Sequence, residues 1–274
     1  MRTIAHISDL HFGRVDPAIA DGLAEDLVNR KPSLVVVSGD LTQRARQWQY
    51  QAASNFLARL PKPQLIVPGN HDIPLYDVTR RFLFPLEKYQ KYITKDLWPV
   101  YKDEEMLVIG LNTARSFTFR LGGFWKDGRI DPDQLIELRR RMGEASSGVF
   151  KVLVTHHPFI PPSDHYAADV VGGAQAALEV LEQSGVELLL AGHLHLGYHG
   201  DVRGHYESAN RSILSIQAGT ATSTRRRDMP NAYNWITIQP DNVNIEVRAW
   251  NGGAFKTFTM TRFDRLKGVW RQAD

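Results

Sequence analysis

The stretch that decides the fold is TIAHISDLH, residues 3–11, in which a β-branched run passes directly into a polar cluster. Residues 3–7 have the composition of a buried strand. Ser8, Asp9 and His11 follow at its carboxyl end. Functional side chains gather beyond the carboxyl ends of parallel strands in open α/β sheets. The stretch therefore predicts one strand of such a sheet and one part of a functional site.

Four other predicted strands run into polar clusters of the same kind. They span residues 34–37, 64–67, 152–155 and 186–190, and the clusters are SGD at 38–40, PGNHD at 68–72, THHP at 155–158 and AGHLH at 191–195. Five clusters at five parallel strand ends would converge on one crevice. Glycine precedes Asp40, Asn70 and His193, which lets the chain turn sharply or another group approach closely.

The segments between these strands have the apolar spacing of helices, as in Ile19, Leu23 and Leu27, and Asp131 with Pro132 is a typical helix start. Alternating strands and helices predict an α/β core with much parallel pairing. From about residue 199 the predicted elements are strands, at 212–218, 234–239, 243–250 and 255–261. We expect a second, more antiparallel sheet that closes the same single domain, residues 1–274.

Composition excludes several classes of protein. The chain has no Cys, which rules out thiolate metal sites, disulfides and a Cys nucleophile. The net charge of +3 suits an anionic substrate and gives nucleic-acid binding little support. No apolar stretch approaches the roughly 18 residues of a membrane span. The N-terminus reads as a strand rather than a signal peptide, so we expect a cytoplasmic protein.

The strand-end clusters contain more candidate metal ligands than one ion needs, since one site takes about four to six donors. Two ions sharing a carboxylate would use all seven: Asp9, His11, Asp40, Asn70, His156, His193 and His195. Imidazole, carboxylate and amide together favour Mn, Fe or Zn. Side chains at i and i+2 of extended backbone point the same way. We therefore expect the pairs 9/11 and 193/195 each to bind one ion.

The ordered blocks resemble the calcineurin-like metallophosphoesterase superfamily. They are D-x-H at 9–11, G-D at 39–40, G-N-H-D at 69–72, a lone His156 after a strand, and G-H-x-H at 192–195. The whole chain is most similar to the bacterial class III cyclic-nucleotide phosphodiesterase branch. This resemblance implies a two-sheet β-sandwich core flanked by helices, in αββα layers.

The resemblance also implies roles for single residues. Asp40 would bridge two divalent metal ions, with Asp9, His11 and His195 holding the first and Asn70, His156 and His193 the second. His71 would lie beside the reacting phosphate as a catalytic residue, oriented by a hydrogen bond that it donates to Asp72. The implied reaction is hydrolysis of small phosphodiesters, either cyclic nucleotides or glycerophosphodiesters, by attack of a metal-bridging hydroxide.

Several other residues have two open interpretations. Arg44, Arg46 and His165 could bind substrate or be solvated. The side chain of His157 should point away from the metals, so we expect it to support the ligands from behind or to lie at the surface rather than to bind an ion. A solvated turn is the favoured interpretation of the arginine run 225–227. The aromatic-rich region 117–125 could pack a loop, stack a base or form a homodimer contact.

Three other activities remain open for the same site: a phosphomonoesterase, a nuclease and a lipid-linked nucleotide pyrophosphatase. A nuclease would need a broader basic groove, whereas a lipid substrate would need an exposed apolar flap. A non-catalytic, metal-stabilised scaffold is disfavoured, because a scaffold needs neither the complete ligand set nor His71.

Overall fold

The computed structural model describes residues 1–116, 127–146, 148–162, 170–225 and 229–273. The aromatic region 117–125, His165 and the second and third arginines of the run 225–227 lie outside these ranges. The helices of the described part are α1 (Pro17–Arg30), α2 (Gln47–Arg59), α3 (Val78–Leu83), α4 (Glu87–Tyr92), α5 (Pro132–Gly143) and α6 (Ala174–Gln183). None of them is both long enough and apolar enough to cross a membrane.

The strands of the described part belong to two sheets. In chain order they are β1 (Arg2–Ile7), β2 (Leu34–Ser38), β3 (Gln64–Val67), β4 (Val100–Lys102), β5 (Met106–Gly110), β6 (Phe150–Val154), β7 (Val186–Ala191), β8 (Tyr198–Asp201), β9 (Leu214–Gln217), β10 (Ala232–Gln239), β11 (Asn242–Trp250), β12 (Phe255–Leu266) and β13 (Val269–Gln272). The first sheet has the order β13-β12-β11-β10-β1-β2-β3, and the second β4-β5-β6-β7-β9-β8.

The parallel strands predicted from the sequence occupy part of each sheet. β1, β2 and β3 pair in parallel in the first sheet, and β5, β6, β7 and β9 do so in the second. Their carboxyl ends carry all five polar clusters. The predicted start of α5 is also present, with Asp131 at the N-cap position and Pro132 in the first turn. The Gln134 side chain, rather than that of Asp131, makes the hydrogen bond there, which it accepts from the backbone N–H of Asp131.

The C-terminal strands do not form a sheet of their own, so that expectation is wrong. β10 pairs antiparallel with the open edge of β1, with His6 opposite Asn234, and β11 to β13 extend the first sheet from there. β8 and β9 instead complete the second sheet beside β7. Strand composition shows which residues are extended, but partner choice depends on which edges remain unpaired. That residues 1–274 form one domain stays a prediction.

The two sheets pack face to face between two layers of helices. Side chains alternate along each strand, so Ala5 of β1 packs against α1 and α2 while its neighbour Ile4 packs against the second sheet. In β6, Val152 faces the first sheet and Leu153 faces α5 and α6. Both faces of the central strands are therefore buried, and the predicted αββα layering is confirmed.

Candidate metal centre

Seven predicted ligands meet at one end of the sandwich, beyond β1, β2, β3, β6 and β7. Four of them form a first group: Asp9, His11, Asp40 and His195 are all buried, and one ligand atom from each lies within 4.8 Å of the others. The Nε2 atom of His11 lies 3.6 Å from both Asp9 Oδ1 and Asp40 Oδ2, and 3.2 Å from His195 Nε2.

A second group forms on the other side of Asp40. Asn70 Oδ1 lies 3.0 Å from His156 Nε2 and 3.1 Å from His193 Nδ1. His156 Nε2 lies 3.4 Å from Asp40 Oδ1. The two oxygens of Asp40 therefore face different groups, Oδ2 towards the first and Oδ1 towards the second.

We expected extended backbone to direct both side chains of the pairs 9/11 and 193/195 to the same ion, and this expectation is wrong. Asp9 and His11 both have left-handed backbone, with φ of 54° and 50°, rather than extended backbone. His193 and His195 divide between the two groups instead of sharing one. The strands end before these residues, so the loops, not the pleat of a strand, set the side-chain directions.

Unusual backbone conformation is concentrated at this centre. Of the eight non-glycine residues with positive φ in the described ranges, five are predicted ligands: Asp9, His11, Asp40, His193 and His195. Such conformations cost free energy and persist where the surrounding structure imposes them, commonly at functional sites. The buried loops therefore hold these side chains in a preset arrangement.

Hydrogen bonds fix the orientation of two imidazoles. His156 Nδ1 donates to the carbonyl oxygen of Ser38 at 2.8 Å, and His195 Nδ1 donates to the carbonyl oxygen of Arg225 at 2.9 Å. Each Nε2 atom points into its group and can offer a lone pair to a cation when it carries no proton. Backbone carbonyls commonly orient metal-binding imidazoles in this way.

The electrostatics of the centre also fit a cation. Burial by itself raises the pKa of Asp40, but the imidazoles of His156, His71 and His11 together lower it well below the usual range. Asp9 Oδ1 is buried without a hydrogen-bond partner, and it faces the Nε2 atoms of His11 and His195. Charged carboxylates and imidazole lone pairs that converge on one point suit a divalent metal ion.

His71 lies at the edge of the first group, with its ring 4.9 Å from the ring of His11. Its Nδ1 donates to the carbonyl oxygen of Gln43 at 2.9 Å, and its Nε2 accepts from Arg225 Nη1 at 3.0 Å. A guanidinium can only donate, so these contacts assign the proton to Nδ1. Burial lowers the pKa of His71 to about 4, which makes the ring neutral at pH 7.

The expectation that Asp72 orients the His71 ring is wrong, because other groups occupy both ring nitrogens. The Asp72 carboxylate instead accepts from the backbone N–H groups of Leu41, Thr42 and Gly69 and from the Thr42 hydroxyl, at 2.9–3.1 Å. It ties the loop after β2 to the loop after β3. Buried backbone N–H groups need acceptors, and an ionised carboxylate is a strong one.

A cavity of about 200 Å³ opens beside His71 and Asn70, and Arg44 and Arg81 also line it. Arg44 lies over the ring of Tyr76, 5.9 Å from its centroid. Arg46 is exposed where α2 begins. The structure therefore brings Arg44, but not the Arg46 side chain, to the wall of this cavity.

A model of the calcineurin-like phosphoesterase family matches residues 2–197. The chain belongs to this family of phosphoester hydrolases. The match covers every predicted ligand, and it confirms the superfamily that the five ordered blocks indicated.

Relatives of this phosphoesterase carry phosphodiesterase names. A probable cyclic nucleotide phosphodiesterase of Synechococcus sp. is 26% identical over 254 residues, which are 87% of this chain and 88% of the relative. Another from Xenorhabdus bovienii is 24% identical over 76% of this chain and 78% of the relative. A glycerophosphodiester phosphodiesterase of Enterobacter lignolyticus is 38% identical over 80 residues, 25% of this chain and 29% of the relative. The two proteins named probable cyclic nucleotide phosphodiesterases are therefore similar to this chain over most of its length, in agreement with the resemblance to that branch.

Solved structures show the same fold. A dimetal phosphatase from Danio rerio aligns with a TM-score of 0.65 at 16% identity, covering 94% of this chain and 99% of that one. A purple acid phosphatase from yellow lupin aligns with a TM-score of 0.71 at 11% identity over 95% of this chain. The phosphoesterase spans about half of the lupin protein, 53%. Both are metallophosphoesterase folds.

The structure also decides the positions of two residues of the phosphoesterase's centre that the sequence left with open interpretations. Arg225, the first arginine of the run assigned to a solvated turn, is half-buried and contacts His71. Of the two interpretations of His157, the structure excludes the surface one: the residue is buried, its Nδ1 lies 2.8 Å from the Thr113 hydroxyl, and its ring is 4.5 Å from that of His193. One of its ring nitrogens lies within 4.8 Å of ligand atoms of His156 and His193. Sequence spacing gives no signal for Arg225, since it lies 154 positions from His71.

We expect Gly69→Ala to destroy the metal centre of the phosphoesterase. A Cβ atom at residue 69 would lie 2.1 Å from Asp40 Oδ1 and 2.4 Å from the Asp40 backbone nitrogen, so Asp40 would have to move. The bound metal, measured by plasma mass spectrometry, should fall by at least one equivalent. Gly204→Ala is the matched control, because a Cβ atom at residue 204 would meet no described atom within 4 Å. Equal metal content in both variants would contradict the close approach.

Proposed function

We propose that this phosphoesterase hydrolyses phosphodiester bonds of small substrates at a centre of two divalent metal ions. The observation that carries the proposal is the position of Asp40, whose two oxygens face different ligand groups. A carboxylate in that position can bridge two cations, and buried donors surround it on both sides.

The proposed ligands divide as the two groups do. Asp9, His11, Asp40 and His195 hold the first ion, and Asp40, Asn70, His156 and His193 hold the second. Imidazole, carboxylate and amide donors together favour Mn, Fe or Zn. Two such ions, when bound, neutralise phosphate charge and supply a strong nucleophile from water.

The chain's own residues position the substrate and move a proton. His71 directs Nε2 towards the centre, because the Gln43 carbonyl holds Nδ1–H. An anionic phosphate beside this ring would raise its pKa and let Nε2 carry a proton for the leaving alkoxide. Arg44, on the wall of the adjacent cavity, would bind a phosphate oxygen.

The relatives support a diester as substrate. The Synechococcus and Xenorhabdus proteins are named cyclic nucleotide phosphodiesterases, and the locally similar Enterobacter protein is named for glycerophosphodiesters. Both substrate classes are small and carry one phosphodiester. We therefore propose a small phosphodiester rather than a nucleic acid as the substrate.

The first test measures kcat/KM for bis-p-nitrophenyl phosphate and for p-nitrophenyl phosphate with Mn²⁺-loaded protein. We expect a clear preference for the diester, loss of turnover with a chelator, and recovery when Mn²⁺ is added back. A preference for the monoester would replace the proposal with a phosphatase. Turnover of neither substrate, with two ions bound per chain, would favour the scaffold.

A second candidate is a phosphodiester that carries an acyl chain. Tyr76, which lies under Arg44, is 73% exposed, and Phe82 and Phe84, at the end of α3, are 56% and 58% exposed. Apolar patches of this kind commonly bind partners or lipids. Faster hydrolysis of an acylated glycerophosphodiester than of its deacylated form, lost in Phe82→Ser, would favour this candidate.

A further inference from the structure

Arg225 is a cation in contact with the proposed catalytic imidazole. Its Nη1 donates to His71 Nε2 at 3.0 Å, so it occupies the ring nitrogen that faces the centre. Among the ion pairs of the described residues, none involves Arg225, whereas Arg203 and Arg248 each pair with carboxylates. Among the described residues, the guanidinium thus bonds a neutral ring beside the centre and no carboxylate.

The backbone of Arg225 is fixed to the centre itself. Its carbonyl oxygen accepts from His195 Nδ1 at 2.9 Å and from the Thr220 hydroxyl at 3.3 Å. Its N–H donates to the Ser223 hydroxyl at 3.1 Å. One residue thus orients a proposed metal ligand through its main chain and contacts His71 through its side chain.

Residues 222–224, which precede Arg225, are hydrogen-bonded to the loop that follows β1. The Thr222 hydroxyl donates to the carbonyl oxygen of Leu10, and the Ser223 hydroxyl donates to that of Arg14. The backbone N–H of Thr224 donates to the same Arg14 oxygen at 2.8 Å. These bonds hold the base of the Arg225 side chain in place relative to Asp9 and His11.

We propose that Arg225 binds a phosphoryl oxygen of the substrate, an inference that rests on the proposed phosphodiester hydrolysis. A guanidinium can form two parallel, charged hydrogen bonds with a phosphate, which a neutral ring nitrogen cannot offer. The phosphate therefore draws the guanidinium away from His71 Nε2. That nitrogen can then take up a proton from water and donate it to the leaving alkoxide. Arg225 and Arg44 contact the substrate from different loops, beyond β9 and β2.

The test compares Arg225→Ala and Arg225→Met with wild type and with Arg203→Ala, which removes an arginine paired to Asp201 away from His71. Three quantities are measured on Mn²⁺-loaded protein: kcat/KM for bis-p-nitrophenyl phosphate, the inhibition constant of inorganic phosphate, and bound metal. A lost charged hydrogen bond should lower kcat/KM and weaken phosphate inhibition by about 10- to 100-fold. Metal content should stay unchanged, and added guanidinium should partly restore Arg225→Ala.

Unchanged phosphate inhibition in both variants would overturn the proposal, as would a loss of activity that only follows a loss of metal. The second result would leave Arg225 as a support for His195. Failure of the proposed function is distinguishable, because it would appear as absent diester turnover in the wild type. Phosphate inhibition of the wild type and of Arg203→Ala should be the same.

Discussion

Asp40→Asn should lose both bound metal and activity, the largest effect of any single substitution in this protein. Changing an outer hydrogen-bond partner of a metal ligand costs about 10–100-fold in affinity or activity. Replacing a ligand that two ions share should lower affinity and activity further, and we expect kcat/KM to fall by at least about 10³-fold. Metal analysis and the diester assay on the same preparation measure both effects.

Asp133→Asn is the matched control for this substitution, because Asp133 is exposed in the first turn of α5. It makes the same chemical change far from the centre, so its metal content and turnover should equal those of the wild type. A folded Asp40→Asn protein, shown by circular dichroism, that still bound two equivalents of metal would refute a bridging role for Asp40.

His71→Ala should keep its metal but lose turnover, because His71 is not among the proposed ligands. Its backbone N–H donates to Asp40 Oδ1 at 2.9 Å, and alanine preserves that bond. General acid help contributes about 10²–10⁴-fold. With an alkyl leaving group, kcat should fall by close to about 10⁴-fold, the upper end of that range. The loss should be much smaller with p-nitrophenolate, which leaves without a proton.

The two leaving groups separate the possible roles of His71. An equal loss with both would indicate stabilisation of phosphate charge rather than proton transfer, and unchanged turnover of the alkyl diester would remove His71 from the mechanism. His205→Ala is the control, since His205 is exposed and lies outside both ligand groups. It should leave both rates at the wild-type value.

Local chemistry made much of this protein predictable from its sequence. Apolar runs such as residues 64–67 became strands with the predicted bounds, because aliphatic and β-branched residues suit extended backbone packed on a core. The polar clusters lay at strand ends, and parallel strands bring such ends to one edge. The sequence alone was therefore enough to name the seven candidate metal ligands: Asp9, His11, Asp40, Asn70, His156, His193 and His195.

The partnerships between distant segments were decided only by the tertiary structure. β10 joined β1 rather than a separate sheet, because β1 offered an unpaired edge that no local pattern reveals. His193 and His195 separated into different groups because the loop after β7 turns through left-handed conformations. Composition and periodicity describe one segment at a time, whereas pairing depends on packing between segments.

The surroundings of His71 show the same division most clearly. The motif G-N-H-D placed His71 and Asp72 side by side, yet the ring bonds Gln43 and Arg225 while Asp72 bonds the backbone after β2. The sequence determined which side chains could bind metal and transfer a proton. Only the fold decided which partners orient them, because a buried hydrogen-bond donor or acceptor bonds whatever group the packed loops bring within reach.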